Sequence, residues 1–303
     1  MRPALFTLLM TLAASASAEI QTREIPYTAP DGTRLVGYYA YDDALPAKRP
    51  GVVVVHEWWG LNDYAKRRAR DLAELGYSAL AIDMYGEGKH TDHPKDAKAF
   101  MQAALADADT ARARFTAGLD LLQAQPQTDA SLVGAIGYCF GGKVVLDMAR
   151  QGVPLLGVVS FHGALATDTR AVPGSVAARV LVEHGAADSM VSAEDAGNLT
   201  AEMVAAGADY RFVSHPGAKH GFTNPGADAF QAKGVDVAYD ARADQRSWED
   251  MTRFFEETFA RQQIPAAPAS TPARTPAPTE APPAAPTPEP IPAEVPPAGE
   301  PVI

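Results

Sequence analysis

A single cysteine, Cys139, occurs in the 303 residues, so no intrachain disulfide can form. Basic runs are missing as well: 26 Lys and Arg face 37 Asp and Glu, a formal net charge of -11. That balance argues against nucleic acid or an anionic membrane as partner, because both are bound through clustered cations. Beyond the first residues no segment offers the roughly 20 consecutive apolar residues that a membrane-spanning helix needs. Those first residues form a pattern of their own. Arg2 precedes an apolar stretch, Ala4 to Ala14, broken only by Thr7 and Thr11, which ends in Ser15-Ala16-Ser17-Ala18. This is the layout of a signal peptide cut after Ala18, and it predicts an exported protein, periplasmic or secreted. A lone cysteine in an oxidising compartment must either be buried or carry chemistry that justifies its exposure.

The other end is compositionally distinct. Residues 264–303 hold 14 of the 25 prolines, together with Ala, Thr and Glu. Such a stretch lacks the apolar residues for a core and reads as a disordered tail with no identifiable partner. Residues 19–263 remain as one domain, expected to act as a monomer.

Within that domain strands and helices alternate. Pro30-Asp31-Gly32 separates two β-type runs, Glu24 to Thr28 and Leu35 to Tyr41, and predicts an opening hairpin. Gly51 to Val55 has no polar alternation, which suits a parallel strand buried on both faces. Further strands are predicted at Ser78–Met84, Ser131–Tyr138, Leu155–Phe161, Arg179–Glu183 and Tyr210–Val213. Helices are predicted at Asp63–Leu75, Pro94–Gln123 (unbroken), Gly141–Arg150, Ala193–Ala206 and Trp248–Arg261. The alternation predicts an α/β fold, a doubly wound and mostly parallel sheet with helices on both faces. Ligands of such sheets bind beyond the C-terminal strand ends.

The sharpest chemical signal is Gly137-Tyr138-Cys139-Phe140-Gly141-Gly142, a nucleophile elbow with cysteine in the usual serine position. Glycines are required because backbone passes too close for a side chain. The helix N-terminus behind the turn favours a thiolate, and the Phe140 N–H is placed to help bind an oxyanion. A nucleophile of this fold needs an acid and then a histidine downstream. Asp188 follows one predicted strand and His220 follows the next. Each alone has a plainer reading, Asp188 as a helix cap and His220 as a loop histidine; order and position together favour the triad. After the Val-rich strand, His56-Glu57-Trp58-Trp59-Gly60 faces the elbow. Glu57 beside a thiol could accept its proton, and the two tryptophans could form a substrate wall. The His90-Thr91-Asp92-His93 segment lacks a third metal ligand at a recognisable spacing and reads as a polar loop.

These motifs in combination resemble the dienelactone hydrolase family: His-Glu-x-x-Gly-x-Asn, Asp83-Met84-Tyr85, Gly-Tyr-Cys-x-Gly-Gly, Gly-x-x-Asp and His-Gly-Phe, spread from Pro26 to Phe259. The resemblance implies an α/β-hydrolase fold and hydrolysis of small ester or lactone substrates without metal or organic cofactor. It implies a triad of Cys139, Asp188 and His220, with Glu57 paired to the resting thiol. It also implies an oxyanion hole from the backbone of Trp58 and Phe140. Trp59 and Tyr85 are expected in the substrate site. The chain departs from the pattern at two places. Where dienelactone-cleaving members carry carboxylate-binding arginines, it reads Gly86-Glu87-Gly88-Lys89 and Thr223-Asn224-Pro225. Two other readings stay open: a binding protein that kept the fold but lost turnover, and a thiol redox protein built on Cys139.

Overall fold

The computed structural model describes residues 19–45 and 48–263; the expected signal segment and the Pro-rich tail lie outside them. Eight strands form one sheet: β1 (Ile20–Thr28), β2 (Arg34–Asp42), β3 (Arg49–Val55), β4 (Ser78–Ile82), β5 (Thr128–Tyr138), β6 (Gly157–Phe161), β7 (Arg179–Gly185) and β8 (Tyr210–His215). Their spatial order is β1-β2-β4-β3-β5-β6-β7-β8. The β1/β2 hairpin pairs antiparallel, and β2 joins β4 antiparallel. Every other pairing is parallel. This is an α/β-hydrolase sheet.

The apolar strands of the centre are buried on both faces, as their lack of alternation requires. One face packs on α2 (Pro94–Leu105), α3 (Ala108–Gln123), α4 (Phe140–Arg150) and α5 (Ala193–Ala206), through Phe115, Leu119, Val145 and Met203. The other packs on α1 (Asp63–Glu74) and α7 (Ala241–Gln263), through Leu72, Met251 and Phe255.

Three helical expectations change. The helix expected over residues 94–123 is two helices, because Asp107 adopts extended backbone and its carboxylate caps the second through Thr110 N. The closing helix begins at Ala241 rather than Trp248, and the four-residue α6 (Asp228–Gln231) was not foreseen. Among the described residues no helix is long and apolar enough to cross a membrane.

Candidate active site

The elbow sits between β5 and α4. Cys139 has φ 53° and ψ -112°, a conformation that L-residues rarely adopt and that neighbouring structure must hold in place. Its N–H donates to Phe161 O at 3.0 Å, and Gly141 N donates to His56 O at 3.1 Å. Two glycines make this possible. A Cβ on Gly137 would lie 2.0 Å from Gly141 O, and one on Gly141 would lie 2.2 Å from Val55 O. Half-buried Cys139 therefore stands where β3, β5 and β6 end.

Asp188 and His220 arrive from the two adjacent strand ends. His220 Nδ1–H donates to Asp188 Oδ2 at 2.9 Å. The other carboxylate oxygen, Oδ1, accepts from Met190 N at 2.8 Å, so Asp188 is fixed at both oxygens. It does not cap α5, whose N-cap is Ser192. His220 Nε2 is buried and without a formed hydrogen bond, and the ring interacts electrostatically with the Cys139 sulfur. Burial opposes the imidazolium, but the Cys139 charge and the Asp188 hydrogen bond outweigh it and push His220 up to about 10. The three residues expected to form the triad are brought together.

Glu57 is buried in the loop after β3. Its Oε2 accepts from Asn224 Nδ2 at 2.7 Å, and no hydrogen bond to Cys139 forms among the described residues. Burial pushes its carboxyl up to about 7, against the Asn224 hydrogen bond and the charges of His220 and Arg68. The backbone N–H groups of Trp58 and Phe140 donate to nothing among the described residues. Tyr85 Oη donates to Trp58 O at 3.1 Å and its ring packs against His56 and Phe140.

A cavity of about 200 Å³ opens over Cys139 and His220, lined by Trp58, Met101, Leu105, Phe140, Val191 and Val237, with Lys143 at its side. Larger hollows of about 380 and 580 Å³ elsewhere contain none of the triad residues. Two residues expected in the substrate site do not line this cavity. Trp59 is buried because it stacks on Phe230 of α6, ring centroids 3.9 Å apart, and does not line the cavity. Tyr85 also lies outside the lining, its hydroxyl held by the Trp58 carbonyl, and it interacts electrostatically with Cys139. Neither Glu87 nor Lys89 reaches the cavity. The 90–93 loop is spent locally, with Asp92 paired to Lys233 and His90 Nδ1 on Gly88 O.

Residues not foreseen surround His220. His162, with φ 39°, directly follows β6; its ring centroid is 5.2 Å from that of His220. Its Nε2 bonds Thr223 Oγ1 at 2.7 Å, which in turn bonds Tyr64 Oη at 2.6 Å. Burial, and then repulsion by His220 and Arg68, hold His162 neutral, well below the usual histidine range. A histidine at the C-terminal end of a buried strand was the available signal.

Residues 36–259 match the sequence profile of the dienelactone hydrolase family. The protein named usf of Aquifex pyrophilus is 30% identical over 213 residues, covering 69% of this chain and 88% of that protein. An uncharacterised protein of Caenorhabditis elegans is 37% identical over 150 residues, 48% of this chain and 93% of that one. The crystal structure of a dienelactone hydrolase-like promiscuous phosphotriesterase from metagenomic libraries superposes with a TM-score of 0.74 at 39% identity, covering 80% of this chain and 100% of that chain.

Proposed function

The chain belongs to the dienelactone hydrolase family and is a hydrolase of carboxylic ester or lactone bonds, and on that premise we propose that Cys139, His220 and Asp188 carry the reaction through an acyl-enzyme. The observation that carries this reading is the Asp188–His220 hydrogen bond with the far nitrogen of the ring left to Cys139. The Cys139 thiolate adds to the ester carbonyl carbon. The resulting oxyanion accepts from the free N–H groups of Phe140 and Trp58. Imidazolium is the favoured state of His220 opposite a thiolate, so a proton is in hand for the leaving alkoxide. The alcohol departs and an S-acyl enzyme remains. Neutral His220 then takes a proton from water, hydroxide adds to the thioester, and the thiolate leaves with the carboxylic acid released.

A thiolate is itself a good leaving group, so the first adduct reverts unless the alkoxide is stable. This favours activated esters and enol lactones over amides. The cavity is smaller than the roughly 300–1,000 Å³ of drug-sized sites, which favours small acyl groups. Its lining includes no arginine, which speaks against dienelactone itself as substrate. The likeness to a promiscuous phosphotriesterase, with this apolar lining, supports neutral phosphotriesters as a second substrate class. Arg2, the apolar run Ala4 to Ala14 and Ser15-Ala16-Ser17-Ala18 support export.

The test is a panel of activated esters, lactones and neutral phosphotriesters on the wild type and Cys139→Ala. Turnover that drops about 10³-fold or more in Cys139→Ala is expected. Equal, slow rates in both proteins overturn the enzyme reading, and Cys139 reacting faster with peroxide than with any ester favours the redox one.

A further inference from the structure

The Asn224–Glu57 contact joins two residues 167 positions apart, both almost fully buried, on loops that flank the triad. Its polarity is not left to chance. Asn224 Oδ1 accepts from Gly226 N at 2.9 Å, which fixes the amide with Nδ2 facing Glu57. The turn is tied twice more, by Asn224 N to Gly221 O and Ala227 N to Asn224 O, each at 2.9 Å. Asn224 also lies four residues after His220, so whatever fixes it fixes the histidine loop.

The charges around Glu57 are few. His220 faces it from the loop after β8, and Arg68 and Tyr64 face it from α1. Arg68 is committed elsewhere: it forms an ion pair with Asp244, donates to Thr223 O at 2.7 Å and lies over the Tyr64, Tyr138 and Trp248 rings. At the side of the cavity, Lys143 pairs with Asp147 at 3.1 Å and donates to Ala166 O. A Cys139 thiolate, a His220 imidazolium and the Asp188 carboxylate sum to one negative charge. An ionised Glu57, hydrogen-bonded by an amide and offset only through space by His220 and Arg68, adds further negative charge to the reacting centre in a low-dielectric setting where charge acts strongly.

We infer that Asn224 is a positioning residue that pins Glu57 through an uncharged amide, and that this arrangement makes the site selective for esters and lactones with no negative charge near the reacting carbonyl. The inference rests on the ester-hydrolase reading above. It assigns Asn224 no contact with substrate; the residue acts through Glu57.

The experiment compares 4-nitrophenyl butanoate with 4-nitrophenyl hydrogen succinate, which differ chiefly in a terminal carboxylate, on the full chain from about pH 5 to about pH 9. Wild type should favour the butanoate by about tenfold or more in kcat/KM. Asn224→Asp keeps the acceptor for Gly226 N and loses only the donor, while adding a charge against Glu57. It should lower kcat on the butanoate about tenfold at neutral pH with KM little changed, and move the acid limb of the profile up by about one pH unit. The rate of Cys139 alkylation by iodoacetamide should show the same move. Adding Glu57→Gln to Asn224→Asp restores a hydrogen bond of opposite polarity; it should recover thermal stability but abolish that limb, which a merely structural contact would not do. Superposable pH profiles and alkylation rates for wild type and Asn224→Asp overturn the inference. So does equal kcat/KM for the two esters in wild type, which decides the matter should Asn224→Asp not fold. If Cys139→Ala retains full activity the Cys139 acyl-enzyme reading falls instead, so the two failures are distinguishable.

Discussion

Among the described residues, two buried acid–histidine pairs are built on the same two strand ends. Asp188 and His220 form one. Glu183 and His215, each five residues earlier (183 to 188, 215 to 220), form the other, with His215 Nε2 and Glu183 Oε2 2.6 Å apart. The pairs differ in what surrounds them. Both oxygens of Asp188 are hydrogen-bonded, and the far side of His220 meets a cysteine and a cavity. Glu183 keeps a buried oxygen, Oε1, without a partner, and the His215 ring packs on Phe222, centroids 5.2 Å apart. The lesson is that an acid–histidine contact is not itself a site. It becomes one when the second ring nitrogen faces a group that exchanges a proton.

The largest expected contrast follows directly. Asp188→Asn should lower kcat/KM about 10³- to 10⁴-fold, because the amide no longer fixes the tautomer or supports the imidazolium. Its thermal midpoint should move by only a few degrees. Glu183→Gln, the same change five residues earlier, should leave kcat/KM within about threefold. Steady-state kinetics on an activated ester with thermal melts on both variants checks this. Equal activity losses in the two variants would dissolve the distinction between the pairs.

The second contrast is in pH and stability. Burial pushes the Glu183 carboxyl up to about 7, against the His215 hydrogen bond and charge. Its folded value therefore lies above the ordinary carboxylate value. Between about pH 4.5 and 7 the folded protein retains a proton that the unfolded chain has lost, so stability falls as pH rises through that window and levels off above it. A tenfold difference in proton affinity between the folded and unfolded chain corresponds to about 1.4 kcal/mol, so the decline from this group is roughly 3 kcal/mol. Glu57, also raised to about 7, contributes a decline of the same sign. His220 adds a decline of the same sign over a higher window: its raised value gives stability that is full below about 6.5 and lost as pH rises through about 10. Urea unfolding at about pH 5 and about pH 8 should show Glu183→Gln losing about a third of the wild-type decline. Parallel losses in the two proteins would mean that Glu183 titrates normally.

Only the Asp188–His220 pair was legible in the sequence, and the reason is physical. Local chemistry announced it: an unbroken Val run before Glu57, a glycine cluster around Cys139, and an aspartate and a histidine in loops after successive strands. Strand positions were likewise readable from apolar runs that need no partner to be recognised. Contacts across the sheet were not. The Asn224–Glu57 bond and the His162–Thr223–Tyr64 chain join loops from different strands, and no spacing encodes which atoms meet. Trp59 misled for the same reason. An aromatic beside a nucleophile suggests a substrate wall, but its face is taken by Phe230, on a helix too short to show periodicity.

The smallest effect tests whether the two pairs communicate. Phe222 lies fully buried between them: its ring is 5.2 Å from His215 on one side and 5.2 Å from His162 on the other, and His162 touches His220. Phe222→Leu removes part of that ring and should cost about 1–2 kcal/mol of stability. If the ring is only packing, kcat/KM changes by less than about threefold and the stability cost adds to that of Glu183→Gln within about 0.5 kcal/mol. If the ring transmits strain from the deeper pair to the catalytic one, the double variant loses more activity than the two singles combined. Additivity is the expected result, because His220 is already fixed by Asp188 on one side and flanked by His162 on the other. A coupling energy above about 1 kcal/mol in the cycle would show that the lower pair tunes the upper one.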